Sequence, residues 1–177
     1  EELTHELAKY FEIGNKKINF TKYFISQSTA KRIEEYVSQY SKANIGKYYG
    51  LVNSPLHGEG SGCSAFGASF MDVAGLLNEE HKKNWANCVR VPHSLAGKPI
   101  LNKKVNFFKI LLGNHNWAKE NEDHHELFFW DPDLMDAWVE RAISNHNKNT
   151  SDYSLDKINN STGIVFDVSD IETPTRE

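Results

Sequence analysis

The segment Leu56-His57-Gly58-Glu59-Gly60-Ser61-Gly62-Cys63-Ser64-Ala65-Phe66 decides how this chain is organised. Glycine recurs at every second position from residue 58 to residue 62, which is typical of a loop. The residues that follow are small and apolar, and they predict a helix from about Ser64 to Leu77. We expect Ser61 to cap this helix, so that Cys63 lies in its first turn.

The predicted helix carries two kinds of residues that favour close packing. Its buried stripe consists of large apolar residues, namely Phe66, Phe70, Val73 and Leu77. Small residues surround that stripe and let the helix approach a sheet closely, namely Ala65, Gly67, Ala68, Ser69 and Ala74.

Cys63 is the candidate nucleophile of this segment. In the first turn of a helix, unpaired N–H groups and the helix dipole stabilise a thiolate, and the same N–H groups can hold a developing oxyanion. His57 and Glu59 lie nearby in sequence and supply an imidazole and a carboxylate. Because nucleophilic cysteines need a stabilised thiolate, a base and an oxyanion donor, we predict Cys63, His57 and Glu59 as catalytic residues.

A structural explanation of the same residues stays open. Free cysteine is among the most often buried residue types, and small residues before a helix permit tight packing. Cys88 follows Trp85 closely and precedes Val89, which indicates a buried small residue or a disulfide partner of Cys63. The sequence does not decide whether the two cysteines are bonded or free. In this alternative the protein is a non-catalytic binding or structural domain, and the glycine-rich loop 57–62 binds a partner or a small anion.

Elsewhere, hydrophobic periodicity predicts an α+β chain in which a small antiparallel sheet packs against helices. Strands are predicted over residues 17–25, 48–52, 89–91, 105–112 and 127–130, with an edge strand over 163–168. Helices are predicted over residues 1–13 and 133–143, and a further one begins at a cap formed by Ser26 or Ser28. The apolar face of that further helix consists of Ala30, Ile33, Val37 and Tyr40. We expect one domain over residues 1–177, with a polar, flexible segment around residues 145–161.

A helix-initiating cysteine after a Tyr-Gly strand and a glycine-rich loop resembles the NlpC-type branch of the papain-like cysteine hydrolases. The matching residues are Tyr49-Gly50 and Gly62-Cys63-Ser64-Ala65-Phe66, although Gly62 stands where the ordinary family usually has Asp. The order of a strand, Ser26-Gln27-Ser28, a long helix and Tyr48-Tyr49-Gly50 is also similar to circularly permuted members. The resemblance covers about residues 17–77. It implies a papain-like core and an enzyme that opens amide bonds in cell-wall peptides or related substrates.

The resemblance leaves the choice of the base open. In the unpermuted order the histidine lies downstream of the cysteine, where His124 or His125 is the best match and His93 comes next. In the permuted order it lies upstream, where only His5 and His57 qualify. The short sequence separation from Cys63 favours His57, whereas the family order favours His124 or His125.

Histidines and carboxylates between residues 114 and 133 also raise the question of a metal site. Adjacent residues on a strand point to opposite faces, which separates His124 from His125. The chain contains no His-Glu-x-x-His pattern. We therefore expect no metal ion and no cofactor.

Charge and composition narrow the possible partners. The net charge of −4 is spread along the chain, which argues against a nucleic-acid partner. No window approaches the run of about 18 apolar residues that a membrane span needs. If a leader preceded Glu1, we expect a periplasmic or secreted protein.

Together these features predict a cysteine-dependent hydrolase or acyl-transfer enzyme. Its substrate would be a peptide or a small molecule with an amide or ester bond. Cys63 would attack the carbonyl carbon, and a histidine would take the thiol proton and pass it to the leaving group.

Overall fold

The structure, a computed structural model, describes residues 18–50, 54–93, 117–147, 152–159 and 161–172. Within these ranges the chain is a mixed α+β protein with four helices and five strands. In chain order the elements are β1 (Phe20–Ile25), α1 (Gln27–Lys42), two short 3-10 turns (Ile45–Lys47 and Pro55–His57), α2 (Cys63–Val73), α3 (Glu79–Trp85), β2 (Ala86–Pro92), β3 (His124–Trp130), α4 (Pro132–Ser144), β4 (Ser154–Ile158) and β5 (Ser161–Val168). The predictions over residues 1–13 and 105–112 lie outside the described residues.

The described strands form two small sheets, so the expected α+β class is confirmed, but the expected antiparallel arrangement holds for only one of the sheets. One sheet has the order β1-β5-β4, in which β1 runs parallel to β5 and β4 runs antiparallel to it. The other consists of the antiparallel pair β2 and β3. Parallel neighbours need a long crossover connection, and here the first and last described strands meet across most of the chain.

β5 is the central strand of its sheet, whereas the sequence predicted an edge strand over 163–168. Its neighbours on both sides pair its backbone groups, and the core cluster that packs on the sheet leaves Ile164 0% exposed. β4 lies inside the segment 145–161 that was predicted to be a loop. The polar side chains of β4 suit a strand at the edge of a sheet, where one side faces water.

α1 begins where the sequence predicted, but its inward face is rotated. The Ser26 side chain caps the helix by accepting the Thr29 N–H at 3.2 Å. Thr29 is buried, Tyr36 is half-buried, and Val37 is 36% exposed, so Tyr36 takes the inward place predicted for Val37. Adjacent helical residues differ by about 100° in direction, so the tyrosine faces α2 and the valine faces away from it.

α1 packs against α2 through an aromatic cluster. The Tyr36 ring lies 5.8 Å from the Phe70 ring, and the Tyr40 ring lies 4.9 Å from the Phe66 ring. Ser69 donates to the Phe66 carbonyl at 2.6 Å, so Tyr36 donates its hydroxyl to the Ser69 oxygen at 2.7 Å. Phe66, Ser69 and Phe70 of α2 therefore face α1.

The principal core cluster lies where α3 and α4 meet the first sheet. It contains Trp85, Trp138, Val139 and Ile164. α3 was not predicted, although Asn78 and His81 form the reciprocal bonds of a capping box at its start. α4 was predicted over residues 133–143 and is confirmed.

Strand boundaries elsewhere follow the predictions less closely. The predicted strands over 17–25, 89–91 and 127–130 correspond to β1, β2 and β3. Tyr48, Tyr49 and Gly50 do not form a strand, and Leu51 and Val52 lie outside the described residues. Tyr49 is 78% exposed, and no described strand pairs with this segment.

Candidate functional site

Cys63 is the first residue of α2, as the sequence predicted to within one position. Gly62 rather than Ser61 is the N-cap, because Gly62 adopts the extended backbone conformation that precedes the helix. Glycine has no side chain to accept a hydrogen bond, and no side-chain cap is present. Among the described residues, the N–H groups of Cys63, Ser64 and Ala65 therefore have no acceptor. They are free to stabilise a negative charge beside the thiol.

α2 ends four residues earlier than predicted, and Gly75 causes this. Gly75 adopts the left-handed conformation at φ 71°, and its N–H donates to the Asp72 carbonyl at 2.9 Å. The Leu76 N–H donates to the Met71 carbonyl at 2.8 Å, which completes a Schellman motif. Glycine reaches this conformation without steric cost, so it stops the helix before Leu77.

Cys63 lies on the wall of a cavity of about 480 Å³. We call this space the Cys63 cavity. It lies between β1, α2 and α4, and the following residues line it: Asn19, Phe20, Thr21, Tyr23, Cys63, Ser64, Gly67, Ala68, Met71, Trp85, Pro132, Met135, Asp136 and Val139. The volume falls within the range of about 300–1,000 Å³ that is usual for sites of organic ligands.

Three residues that line the Cys63 cavity have polar atoms without a hydrogen-bond partner among the described residues. These buried atoms are Asn19 Oδ1, Tyr23 Oη and Trp85 Nε1. Trp85 is 7% exposed, so water does not replace the missing acceptor of its indole N–H. Buried polar atoms are rarely left unpaired in native proteins, because each costs about 1–3 kcal/mol.

The protonation state of Tyr23 is set by its surroundings. Burial raises the pKa of the Tyr23 hydroxyl well above its ordinary value, and the nearby Glu80 carboxylate raises it further. The ring of Tyr23 stacks on Phe166 of β5 at 5.0 Å, which holds the side chain in place. Tyr23 therefore presents a neutral, positioned hydroxyl that can donate a hydrogen bond.

Gly67 lies one helical turn after Cys63 and lines the same cavity. A Cβ atom at this position would meet no atom within 4 Å. Glycine inside a helix costs about 0.5–1 kcal/mol relative to alanine. No steric contact in the described structure requires glycine here, so Gly67 lowers the stability of the helix and widens the cavity beside the thiol.

His57 and Glu59 lie on the loop before α2, but neither lines the Cys63 cavity. His57 is exposed and ends the 3-10 turn Pro55–His57. The Glu59 carboxylate accepts the Ser54 N–H at 2.8 Å and so closes the loop on itself. In the described residues no hydrogen bond or ion pair joins His57 or Glu59 to Cys63.

The glycines of this loop have structural roles within the chain. Gly58 adopts the left-handed conformation at φ 75°, and a Cβ atom on Gly60 would overlap the Tyr48 carbonyl oxygen. Gly62 packs 3.2 Å from the Tyr49 hydroxyl, measured from the position that a Cβ atom would take. Close approach of the chain to itself accounts for these residues. A carboxylate at Glu59 also disfavours a small anion in the same loop.

His124 and His125 begin β3 and are directed to opposite sides of the β2–β3 pair. His124 donates its Nδ1–H to the Glu122 carbonyl at 2.6 Å, and its Nε2 lies 3.8 Å from Glu126. The His125 ring lies 5.7 Å from the ring of His93. Neither imidazole belongs to the described lining of the Cys63 cavity.

α2 approaches the other end of β3. A second cavity, of about 260 Å³, is lined there by Phe128, Phe129 and Trp130 together with Ala65 and Ser69. Phe128 lies four residues after the first histidine of β3, or about 13 Å along a strand. The two histidines are therefore at the end of β3 that is remote from this contact with α2.

Both cysteines are free thiols and both are exposed. Two free thiols are therefore the alternative observed, and the interpretation of Cys88 as a buried residue is wrong. Cys88 pairs with Phe128 in the β2–β3 register, and Phe128 is 63% exposed. The two side chains share the outward face of this pair of strands, which a period-two pattern alone does not orient.

Sequence reasoning missed Asn19, Tyr23 and Trp85 as site residues. Tyr23 was interpreted only as a strand residue, and Trp85 only as a neighbour of Cys88. No local pattern marks them, because their shared property is an unpaired polar atom that only the tertiary structure reveals. In hindsight, the signal was weak: Tyr and Trp combine apolar area with a polar atom that needs a partner when buried.

Within the described ranges, no group of three or more His, Cys, Asp or Glu residues is arranged to hold a metal ion. No described helix is long and apolar enough to cross a membrane.

Comparison with protein-family models, curated protein sequences and solved structures found no match for this chain. The site is therefore described by its geometry alone. It consists of a free cysteine at a helix N-terminus beside a cavity large enough for an organic ligand.

Proposed function

We propose that this protein is a cysteine-dependent hydrolase or acyl-transfer enzyme that acts on an amide or ester bond. The observation that supports it most is the position of Cys63. Its free, exposed thiol stands at the first residue of α2 and on the wall of a cavity of about 480 Å³. Substrate bound in the cavity would lie beside both the sulfur and the N–H groups of the first helical turn, which have no acceptor in the described part of the chain.

The chemistry proceeds in two balanced steps. The Cys63 thiolate attacks the carbonyl carbon, a C–S bond forms, and the carbonyl oxygen takes the negative charge. The N–H groups at the start of α2 stabilise this oxyanion. The base passes the proton that it took from the Cys63 thiol to the amine or alcohol, which leaves, and a thioester remains. Water or a second nucleophile then attacks the thioester and gives its proton to the base. The C–S bond breaks, the acyl product leaves, and the sulfur takes the proton back.

The resemblance to NlpC-type hydrolases supports the same assignment and adds a papain-like core to the proposal. In such a core the nucleophile begins a helix that packs on a sheet carrying the base. α2 supplies the first part of this arrangement. The candidates for the base remain His57, His124 and His125, and substitution of each histidine distinguishes among them.

A second candidate function is non-catalytic binding of an organic ligand in the same cavity. The observation that favours it is that no described lining residue of the Cys63 cavity is a histidine. Under this function Cys63 contributes to the wall of a binding site and does not react with the ligand.

Reaction with 4-nitrophenyl acetate separates the two candidates. An enzyme releases 4-nitrophenolate and carries a transient acetyl group on Cys63, which mass spectrometry of the peptide detects. Cys63→Ser should lose both signals, whereas Cys88→Ser is the matched control and should retain them. If Cys63 reacts no faster than N-acetylcysteine at the same pH, the enzyme proposal is wrong and the binding function stands.

The same assay identifies the base. His57→Ala, His124→Ala and His125→Ala should be compared one by one with the parent protein. A variant that slows acetylation of Cys63 by tenfold or more, yet unfolds at the parent urea concentration, identifies its histidine as the base. If all three react at the parent rate, none of these histidines is the base.

A further inference from the structure

We propose that the substrate of this protein is a peptide, and that the peptide binds in extended form along the free edge of β1, beside Cys63. This inference rests on the proposed function, because it names the substrate class of the same site. It adds a binding surface made of backbone groups, which hold a peptide by adding it to the sheet as a further strand.

β1 is an edge strand of its sheet. Among the described residues it has one strand partner, β5, and the order β1-β5-β4 leaves its other edge without a strand. An edge of this kind presents a row of N–H and C=O groups with which an extended chain can pair. β4 forms the opposite edge of the same sheet.

The direction of the Ile18 N–H identifies the backbone groups at the free edge of β1. This N–H donates to the Ser161 hydroxyl oxygen of β5 at 2.8 Å, so it points towards β5. The N–H groups of successive residues in an extended strand point to alternate edges. Those of Thr21 and Tyr23 therefore point away from β5, and no described residue supplies an acceptor for them.

The Cys63 cavity reaches around this edge of β1. Successive side chains of a strand lie on opposite faces of its sheet, so a cavity on one face alone is lined by every second residue. Asn19, Phe20 and Thr21 all line the Cys63 cavity. The cavity therefore extends across the edge of the strand, where the unpaired N–H and C=O groups lie.

α2 forms another wall of the cavity, and this wall is open to water. Cys63, Ser64 and Gly67 line the cavity from the first two turns of α2, and both Cys63 and Gly67 are exposed. An enclosed cavity takes only a small molecule, whereas a groove with an exposed wall admits a chain that continues beyond it. A peptide paired with β1 would run beside the thiol, with its amide carbonyl groups in the same groove.

The lining residues of β1 indicate the length and the side chains of the peptide. Residues of a strand are about 3.3 Å apart, so the edge from Asn19 to Tyr23 is about 13 Å long and pairs with about five residues. Every second side chain of the added strand would lie on the face that Asn19 and Tyr23 share. Met135 and Val139 of α4 line the cavity on that side, where Asn19 also bonds to Asp136 of the same helix at 2.8 Å. Apolar side chains at alternate positions of the peptide therefore suit this groove.

Strand addition is tested with the reagent iodoacetyl-Leu-Ala-Leu-Ala-Leu-Ala amide, which alkylates cysteine. The rate at Cys63 is divided by the rate at Cys88 of the same molecule, which is exposed and lies outside the cavity lining. This ratio should exceed the corresponding ratio for iodoacetamide by about tenfold or more, because several backbone hydrogen bonds hold the peptide beside the sulfur.

Reagents that carry a single N-methyl group, placed at each amide in turn, test the backbone pairing itself. N-methylation removes an N–H and obstructs a neighbouring strand, but only every second amide of the added peptide faces β1. The preference for Cys63 should fall by about tenfold at alternate positions and by less than about twofold at the positions between them. A parent reagent without preference, or a series of N-methyl reagents without this alternation, would overturn the inference.

Thr21→Pro removes one N–H from the free edge of β1 and should abolish the preference, since proline is tolerated where a strand N–H is unpaired. Leu155→Pro is the matched control at the opposite edge of the sheet. There the Lys157 N–H bonds to Asp156 Oδ1 instead of β5, and the N–H of Leu155, two residues earlier, points the same way. Leu155→Pro should retain the preference. A folded Thr21→Pro variant that also retains it would contradict the inference, and the N-methyl series decides the matter if this variant does not fold.

Amide hydrogen exchange in Cys63→Ser measures binding without thiol chemistry. Saturation with acetyl-Leu-Ala-Leu-Ala-Leu-Ala amide should slow exchange at Thr21 and Tyr23 by about tenfold or more and leave Leu155 unchanged. If the β1 amides are protected while 4-nitrophenyl acetate does not acetylate Cys63 of the parent protein, the enzyme proposal fails and the peptide site stands. If Cys63 is acetylated but no amide of β1 is protected, the peptide site fails and the enzyme proposal stands.

Discussion

Gly67→Ala is expected to make the protein more stable and its site less open. Gly67 is the fifth residue of the eleven-residue helix α2, so it lies in the helix interior. The new Cβ atom meets no atom within 4 Å, which means that no clash opposes the substitution. Replacement of an interior helical glycine by alanine contributes about 0.5–1 kcal/mol, largely because the unfolded chain loses conformational freedom.

Urea unfolding followed by circular dichroism measures this gain. A change of about 0.5–1 kcal/mol in a chain of this size corresponds to a rise of about 1–4 °C in the melting temperature. The slope of the urea transition should not change, since the same surface is exposed on unfolding. Ser38→Ala is the control, because it raises helix propensity at an exposed position of α1 away from the cavity.

The pair of variants separates stability from ligand access. Both should be stabilised, but only Gly67→Ala should slow the reaction of Cys63 with N-hexyl iodoacetamide. A destabilised Gly67→Ala would show that the space beside Gly67 is filled, and the reasoning about the cavity would be refuted. Gly60→Ala should behave in the opposite way and lose stability, because its Cβ would overlap the Tyr48 carbonyl oxygen.

Three further predictions concern the core, a buried imidazole and a helix cap. Ile164→Ala should lower the free energy of unfolding in urea by about 2–5 kcal/mol, because Ile164 is 0% exposed. Ile171 is 54% exposed, so Ile171→Ala should change that free energy by less than about 0.5 kcal/mol. Equal losses in the two variants would contradict the assigned core. Burial lowers the pKa of His81, against an opposing effect of Glu80, so the unfolded state binds the proton more readily than the folded state. The free energy of unfolding should therefore fall as the pH decreases below about 6.5. An NMR titration of the His81 ring with a midpoint at or above that pH would refute this prediction. Asp131 caps α4 by accepting the Asp133 N–H at 3.0 Å. Asp131→Ala should lower the free energy of unfolding by about 0.5–2 kcal/mol, whereas Asp131→Asn should retain most of the cap. Equal losses in both variants would show that the charge of Asp131, and not its hydrogen bond, stabilises the helix.

Much of the local structure could be predicted because it depends on neighbours in sequence. Ser26 and Asp131 cap their helices as short polar residues do, by accepting N–H groups two or three positions later. The start of α2 at Cys63 was predicted to within one residue, since glycine and small residues change the local backbone preference there. The early end of α2 at Gly75 was open to the same reasoning and was missed.

The sequence by itself determined an α+β chain, the positions of its main helices and the placement of Cys63 at a helix start. Only the tertiary structure decided that β1 pairs in parallel with β5 and that Asn19, Tyr23 and Trp85 line one cavity with the thiol. It also decided that the loop glycines have roles within the chain, because Gly58 adopts a left-handed conformation and Gly60 and Gly62 lie close to Tyr48 and Tyr49. Periodicity reports which side of an element is apolar, but the partner of that side is chosen by packing across long sequence separations. An unpaired polar atom is likewise a property of the assembled core, because it depends on every group that could have reached it.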